Sequence, residues 1–264
     1  MGFVVTKQEL DRYYQLGVRQ FDGAKMIGVM FASEPEITAP LLPPPLDQAD
    51  LPGGLIFIAE YGATNLGPGY RESALLLRCQ YQGVAGTYCL SMPIDSEPRM
   101  HNGRDIFGFP KEMADIHVAR EGSTVHGWVE RAGVRFVEVT VDLTGELPEL
   151  PPMGPSYLFK AMPRIDLQPG FDGPVFLASQ QTDVKLRKLE IGMGDLTLRP
   201  SAADPWADLG EPTLMMAFQL ESDNTMQPGR ILTEVDGEAF LPYYFKMTDF
   251  SAGAPTEGNE EGER

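Results

Sequence analysis

The chain has 264 residues, with 21 Lys and Arg against 38 Asp and Glu, a formal net charge of −17. Hydrophobic residues make up 42% and aromatic residues 9%, enough to bury a sizeable core, which excludes wholesale disorder. The charge argues against nucleic acid and anionic lipid, since both recognise a basic face. Two cysteines, Cys79 and Cys89, cannot build a disulfide framework, and each reads as a small buried hydrophobe. No charged N-terminal region is followed by a long apolar stretch, and no apolar run reaches the roughly 18–20 residues that span a bilayer. Together these predict a cytoplasmic protein with no membrane contact.

Gly (28) and Pro (23) punctuate the whole chain, a pattern that favours many short strands over long helices. Residues 6–20 form the first helix-like stretch. Lys25 to Ser33 reads as a strand, and Ala39 to Pro45 is a Pro-rich connection that continues neither helix nor central strand. Gly54 to Tyr61, Glu72 to Tyr81 and Gly86 to Met92 are apolar runs bounded by Gly or Pro. Val125 to Arg131 and Val134 to Asp142 bracket Ala132-Gly133 as a hairpin, and 134–142 partly alternates as a half-buried strand does. Further strands are predicted at 156–162, 174–179, 184–191, 213–219 and 238–247. The spacing predicts a mainly β (α+β) architecture with a large antiparallel sheet, closed or nearly closed, rather than βαβ repeats. The expected organisation is one domain over 1–250. Residues 251–264 carry four Glu and one Arg with few apolar residues, and form an expected disordered acidic tail.

Motif chemistry is sparse. His101, His117 and His126 lack metal-ligand spacing, and no Gly-x-Ser-x-Gly elbow, P-loop or dinucleotide fingerprint occurs. Trp128 and Trp206 read as core or interface aromatics. The segment that stands out is 97–116, EPRMHNGRDIFGFPKEMADI. Pro110 fixes its own φ and holds Phe109 extended, which aims Lys111 in a set direction beside Phe107 and Phe109. A lysine in an apolar niche is pushed toward the neutral amine that attack on a carbonyl requires. A solvated loop lysine fits the same residues.

The segment GRDIFGFPKEMADI resembles the signature of the acetoacetate decarboxylase family, in which Gly-Arg precedes a Tyr/Phe-Pro-Lys whose lysine forms a Schiff base. Lys111 falls on that lysine. The upstream stretch GYRESALLLRCQYQGVAGTYCLSMPIDSEP is similar to the family's segment carrying its active-site glutamate, which places that role on Glu72. SYLFKAMPRID (156–166) resembles a Tyr-x-x-Lys-x-x-Pro strand, PWADLGEPTLMM (205–216) a Trp-x-Gly-Pro region, and 230–250 the last strand. The resemblance therefore runs over about residues 20–250.

It implies a cone-like antiparallel β barrel with few short helices, assembled as a homo-oligomer, working without a cofactor or metal on a small keto acid. The implied reaction is decarboxylation of a β-keto acid through an imine at Lys111. Condensation of a pyruvate-type keto acid with an aldehyde through the same lysine is the alternative chemistry, and a non-catalytic small-molecule-binding barrel the alternative class. Arg104 would hold the loop or attract the carboxylate, and Phe107, Phe109 and Met113 would flank the substrate. Two positions depart from the family: Glu112 stands where a second lysine follows the first, and Ala24 stands where an arginine is placed. A carboxylate at 112 would work against a neutral amine unless, on an extended segment, it faces away. Lys25 neighbours the missing arginine, and Glu60 lies close to, but out of step with, a further acidic position.

Overall fold

The computed structural model describes residues 3–151 and 153–246. Helix α1 (Lys7–Gln15) leads into β1 (Arg19–Ala32), then the short helix α2 (Pro35–Thr38) and a 3-10 turn (Ala39–Leu41). Strands β2 (Asp47–Gln48), β3 (Gly53–Thr64), β4 (Gly67–Tyr81) and β5 (Val84–Ile94) follow. Helix α3 (Glu97–Asn102) runs directly into a π-helical turn (Gly103–Phe107) and then β6 (Lys111–Met113). Next come β7 (Asp115–Glu121), β8 (Thr124–Arg131), β9 (Val134–Glu146), β10 (Ser156–Lys160), β11 (Val175–Gln180) and β12 (Thr182–Leu198). A 3-10 turn (Trp206–Leu209), β13 (Thr213–Met226), β14 (Arg230–Val235) and helix α4 (Gly237–Tyr244) complete the described chain.

All the strands belong to one sheet, whose main path is β14-β11-β10-β5-β4-β3-β1-β13-β12-β9-β8-β7. The sheet curls until β7 lies across β3 and β4, which gives the expected mainly β, cone-like architecture. Pairing is antiparallel except at β5. Its free edge is shared by β10 (Ser156↔Thr87) and β6 (Met92↔Lys111), both parallel. Lys111 thus enters the sheet as the first residue of a three-residue strand.

The central strands β1, β3 and β4 separate two apolar layers. Ile27, Val29, Ile56, Ile58, Leu75 and Leu77 face a core closed by Val125, Val129, Val137 and Val139 of the β8–β9 hairpin. The alternate residues Leu55, Phe57, Ala59, Ala74 and Leu76 face a second cluster with Met92, Phe109, Phe218 and Leu220. Burial on both faces is why β3 reads as a continuous apolar run instead of alternating. The β8–β9 hairpin turns as expected on Ala132 and Gly133, both at positive φ (51° and 77°), the conformation a two-residue hairpin loop requires.

Several boundaries move. The N-terminal helix is confined to Lys7–Gln15 by a capping box of Thr6 and Glu9, and β1 starts at Arg19. Strand 184–191 lengthens to β12, and 213–219 lengthens to β13. The strand expected at 238–247 is a correction: residues 237–244 are helix α4. The Asp236 side chain accepts from the amides of Glu238 and Ala239, and Phe240 is buried on Phe159 (ring centroids 4.5 Å). The last strand of the 230–250 stretch is therefore only Arg230–Val235. The acidic tail at 251–264 lies outside the described residues.

Candidate active site

The site is built where β4 and β6 meet across the second apolar cluster. Lys111 and Glu72 are 39 residues apart in sequence, yet Lys111 Nζ lies 2.5 Å from Glu72 Oε2. Both side chains are buried, 7% and 8% exposed. Glu72 is held by its other oxygen, Oε1, which accepts from the Tyr61 hydroxyl at 2.8 Å. Tyr70 stands two residues before Glu72 on β4, hence on the same face, and its ring lies 5.6 Å from Lys111 Nζ. The Phe109 ring lies at 5.7 Å. Burial first, and then the Glu72 charge, push the hydroxyls of Tyr61 and Tyr70 well above the usual tyrosine range. Both remain protonated at neutral pH, and Tyr61 donates to Glu72.

The segment before Lys111 explains the Gly-Arg of the motif. A Cβ on Gly103 would sit 2.5 Å from both Cδ and Cε of Lys111, so only glycine lets the turn pack against the lysine stem. Arg104 Nη1 donates to the Lys111 carbonyl at 2.8 Å and to Glu112 Oε1 at 2.7 Å. Glu112 points away from the amine and also faces Arg131, at 3.7 Å, which in turn pairs with the buried Asp204. The opposite sides taken by Lys111 and Glu112 are what an extended β6 dictates.

A cavity of about 200 Å³ opens at the Lys111–Glu72 pair. Its wall is mostly apolar, with Met26, Met30, Leu55, Phe57, Leu76 and Phe218 among its lining residues. A smaller recess of about 50 Å³ shares Lys111, Tyr70 and Phe109 with it and adds Arg99, Arg19 and Phe107. Of the residues singled out in the sequence, the structure brings together Lys111, Glu72 and Phe109, with Phe107 in the recess. It does not bring Arg104 or Met113. Arg104 is bound to the loop carbonyl and to Glu112 and lines a different cavity, and Met113 is exposed and lines neither space at Lys111. Of the two expectations for Arg104, the contacts in the structure are those of holding the loop, and Met113 flanks neither space at Lys111.

Ala24 is buried in the same cluster and brings no charge to it, while Lys25 is exposed on the other face of β1. Glu60 pairs with Arg71 at 3.1 Å, on the side of β3 turned away from the cavity. Tyr61 and Tyr70 are not among the site residues expected from the sequence. Two-residue alternation back from Glu72 finds Tyr70, and the β3–β4 register then places Tyr61 opposite it. Cys79 and Cys89 are buried free thiols, both pushed up to about 12 by burial. His117 stacks on Trp128, and among the described residues no three His, Cys, Asp or Glu gather as a metal site.

The family model for acetoacetate decarboxylase (ADC) matches residues 4–235. The acetoacetate decarboxylase of Burkholderia vietnamiensis is 27% identical over 226 residues, covering 83% of this chain and 90% of that protein. That of Burkholderia cenocepacia strain J2315 is 28% identical over 229 residues, with the same coverage. Among solved structures, an acetoacetate decarboxylase superposes with a TM-score of 0.75 at 21% identity, covering 83% of this chain and 90% of the other. An acetoacetate decarboxylase-like enzyme from Sphingomonas wittichii RW1 gives 0.74 at 17% identity, covering 83% and 94%. The enduracididine biosynthesis enzyme MppR complexed with pyruvate gives 0.72 at 20% identity, covering 82% and 91%. These structural likenesses bear on the fold, and the match along nearly the whole chain settles its kinship: the chain belongs to the acetoacetate decarboxylase family and is a lyase of that family's kind.

Proposed function

We propose that the protein decarboxylates a β-keto acid through an imine on Lys111. The observation that carries this reading is the buried Lys111–Glu72 contact of 2.5 Å at the head of a largely apolar cavity. The Glu72 carboxylate, oriented by Tyr61, takes a proton from the ammonium, and the neutral amine adds to the substrate ketone. Glu72 returns that proton to the carbinolamine hydroxyl, which leaves as water, and the C=N⁺ bond forms. The imine carbon is separated from the carboxylate carbon by one methylene. The bond between that methylene and the carboxylate breaks, CO2 departs, and the electron pair flows into the iminium nitrogen to give an enamine. A proton then adds to the enamine carbon, and water hydrolyses the imine to free the ketone and the lysine. All the electrons stay within substrate and lysine, so the cycle requires neither metal nor redox partner.

The same reading takes the protein to be a homo-oligomer of the cytoplasm acting on a free small molecule. Its buried free thiols suit a reducing compartment, and among the described residues no helix is long and apolar enough to cross a membrane. The test is to incubate the protein with acetoacetate, reduce with borohydride and map the adduct by mass spectrometry while measuring CO2. Adduct on Lys111 with CO2 released is the expected result. CO2 without adduct on Lys111 overturns the lysine assignment. Adduct without CO2, and a condensed unsaturated product when pyruvate and an aldehyde are supplied, replaces decarboxylation with aldol chemistry.

A further inference from the structure

The β1–β3–β4 register divides the space around Lys111 into two unequal parts. Glu72 pairs with Ala59, and Ala59 with Met26, which sets one level across the sheet. Leu76 pairs with Leu55, and Leu55 with Met30, which sets a second level four residues further along each strand. At about 3.3 Å per residue the two levels are roughly 13 Å apart. Between them, inward-facing Phe57 and Phe218 complete an apolar wall. On the opposite side of the Glu72 level lie Phe21 and its register partner Thr64, and there the small recess is found.

Arg99 lines that recess. Its Nη2 donates to the Leu66 carbonyl at 2.6 Å, and no carboxylate among the described residues pairs with it. A guanidinium has five N–H donors in a planar fork, so several remain for an anion. The recess, about 50 Å³, is about a quarter of the chamber's size and takes only a small group such as a carboxylate. The chamber on the other side is about 200 Å³. An apolar cavity of about 150 Å³ accepts a six-carbon ring, so acetoacetate, whose ketone bears only a methyl, would leave most of the chamber empty.

We propose that the substrate is a 3-oxo acid with an apolar chain of about five carbons beyond the ketone. The chain lies between the Glu72 level and Met30, and the carboxylate lies in the recess beside Arg99. This rests on the imine reading above and specifies its substrate class. Arg99 is a positioning group for the anion, doing from α3 what an arginine at position 24 would do from β1. The carboxylate is bound before CO2 leaves, so Arg99 acts on substrate capture more than on the chemical step.

The test compares the wild-type protein on acetoacetate and on 3-oxooctanoate, each freshly prepared, with borohydride trapping run in parallel. Each buried methylene contributes about fourfold, so four additional carbons raise kcat/KM by about 250-fold. A ratio above about tenfold supports the proposal, and a lower one overturns it. Adduct on Lys111 from both acids with a ratio near one overturns the chain-length inference alone. No adduct from either acid overturns the imine reading and this inference with it. In a second arm, Met30→Trp fills the chamber floor and should collapse the ratio toward one. An unchanged ratio in a folded variant sinks the chamber assignment. Arg99→Gln should raise KM for both acids by about 10–100-fold with kcat nearly kept, and a fall confined to kcat refutes the anchoring role.

Discussion

Phe109 lines two cavities of similar size, and each cavity holds a lysine amine. The one at Lys111 is about 200 Å³ and the one at Lys246 about 210 Å³. Around Lys111 the sheet supplies an acid in contact, a tyrosine that orients the acid, and an apolar chamber for a carbonyl compound. Around Lys246 it supplies the Tyr88 hydroxyl and ring, with the amine 4.5 Å from the ring centroid. The other two ionised side chains that line this second cavity, Arg104 and Glu112, are bound to each other. Burial pushes the Lys246 amine down from 10.5 to about 8. The contrast teaches that a desolvated amine is not in itself a nucleophilic site. Imine formation must move a proton off the nitrogen and onto a departing water, and only Lys111 has a group placed to do both.

The sharpest way to break this contrast is to remove imine chemistry at Lys111 while keeping its charge. Lys111→Arg should lower kcat/KM by on the order of 10⁴-fold or more, because guanidinium stays protonated and forms no imine. Lys246→Met should stay within about threefold of wild type. If the first variant retains turnover or the second loses it, the roles of the two cavities are exchanged. Glu72→Gln keeps the hydrogen bond from Tyr61 and removes the base, and kcat should fall by about 10²–10⁴-fold. Steady-state CO2 release measures all three.

A smaller effect comes from the π-helical turn. In Gly103→Ala the new methyl meets the lysine stem, not backbone, so the turn stays and the amine moves. A displacement of about 1 Å at a reacting atom costs about 100-fold, so kcat should fall by that order while the melting temperature changes little. A large loss of stability with normal specific activity in the folded fraction would show that the glycine serves the turn alone.

How far the site was legible follows the range of the interactions. Lys111 and Glu72 could be read because the chain around each carries a local pattern, and the sidedness of Glu112 follows from the pleat once the segment is extended. Tyr61 and Tyr70 required strand register, and Arg99 required knowing that α3 folds over the β3–β4 turn, where its guanidinium reaches the Leu66 carbonyl. For Arg104 both holding the loop and attracting a carboxylate were open, because a cation beside a motif lysine suits either, and only the geometry shows it committed to Lys111 O and Glu112. In the fold, the β8–β9 hairpin was visible from its turn and its alternation. Helix α4 was not, because Phe240, Leu241, Tyr243 and Tyr244 form an apolar run without helical periodicity around Pro242. Its one helical signal was the Asp236 cap.

The smallest predicted effect tests the second lysine directly, through stability. With its folded pKa lowered to about 8 from an ordinary 10.5, Lys246 binds fewer protons in the folded chain than in the unfolded one between those values. Stability therefore rises with pH across about 8 to 10.5, and below pH 8 the full cost of covering the charge is present. Of the groups against the amine, burial holds the Tyr88 hydroxyl well above its usual range, and the Cys89 thiol is pushed up to about 12. Lys246→Met removes the cost of covering the charge and also the hydrogen bond to Tyr88, so the informative quantity is the difference between variant and wild type as pH changes. The full shift corresponds to about 3 kcal/mol between pH 7 and pH 10.5, and because Lys246 is only part-buried, solvent screening roughly halves it: the difference should shift against the variant by about 1–2 kcal/mol, or about 2–6 °C in melting temperature. A difference independent of pH would mean that the amine reaches water in the folded protein, and the two cavities would then differ in burial as well as in chemistry.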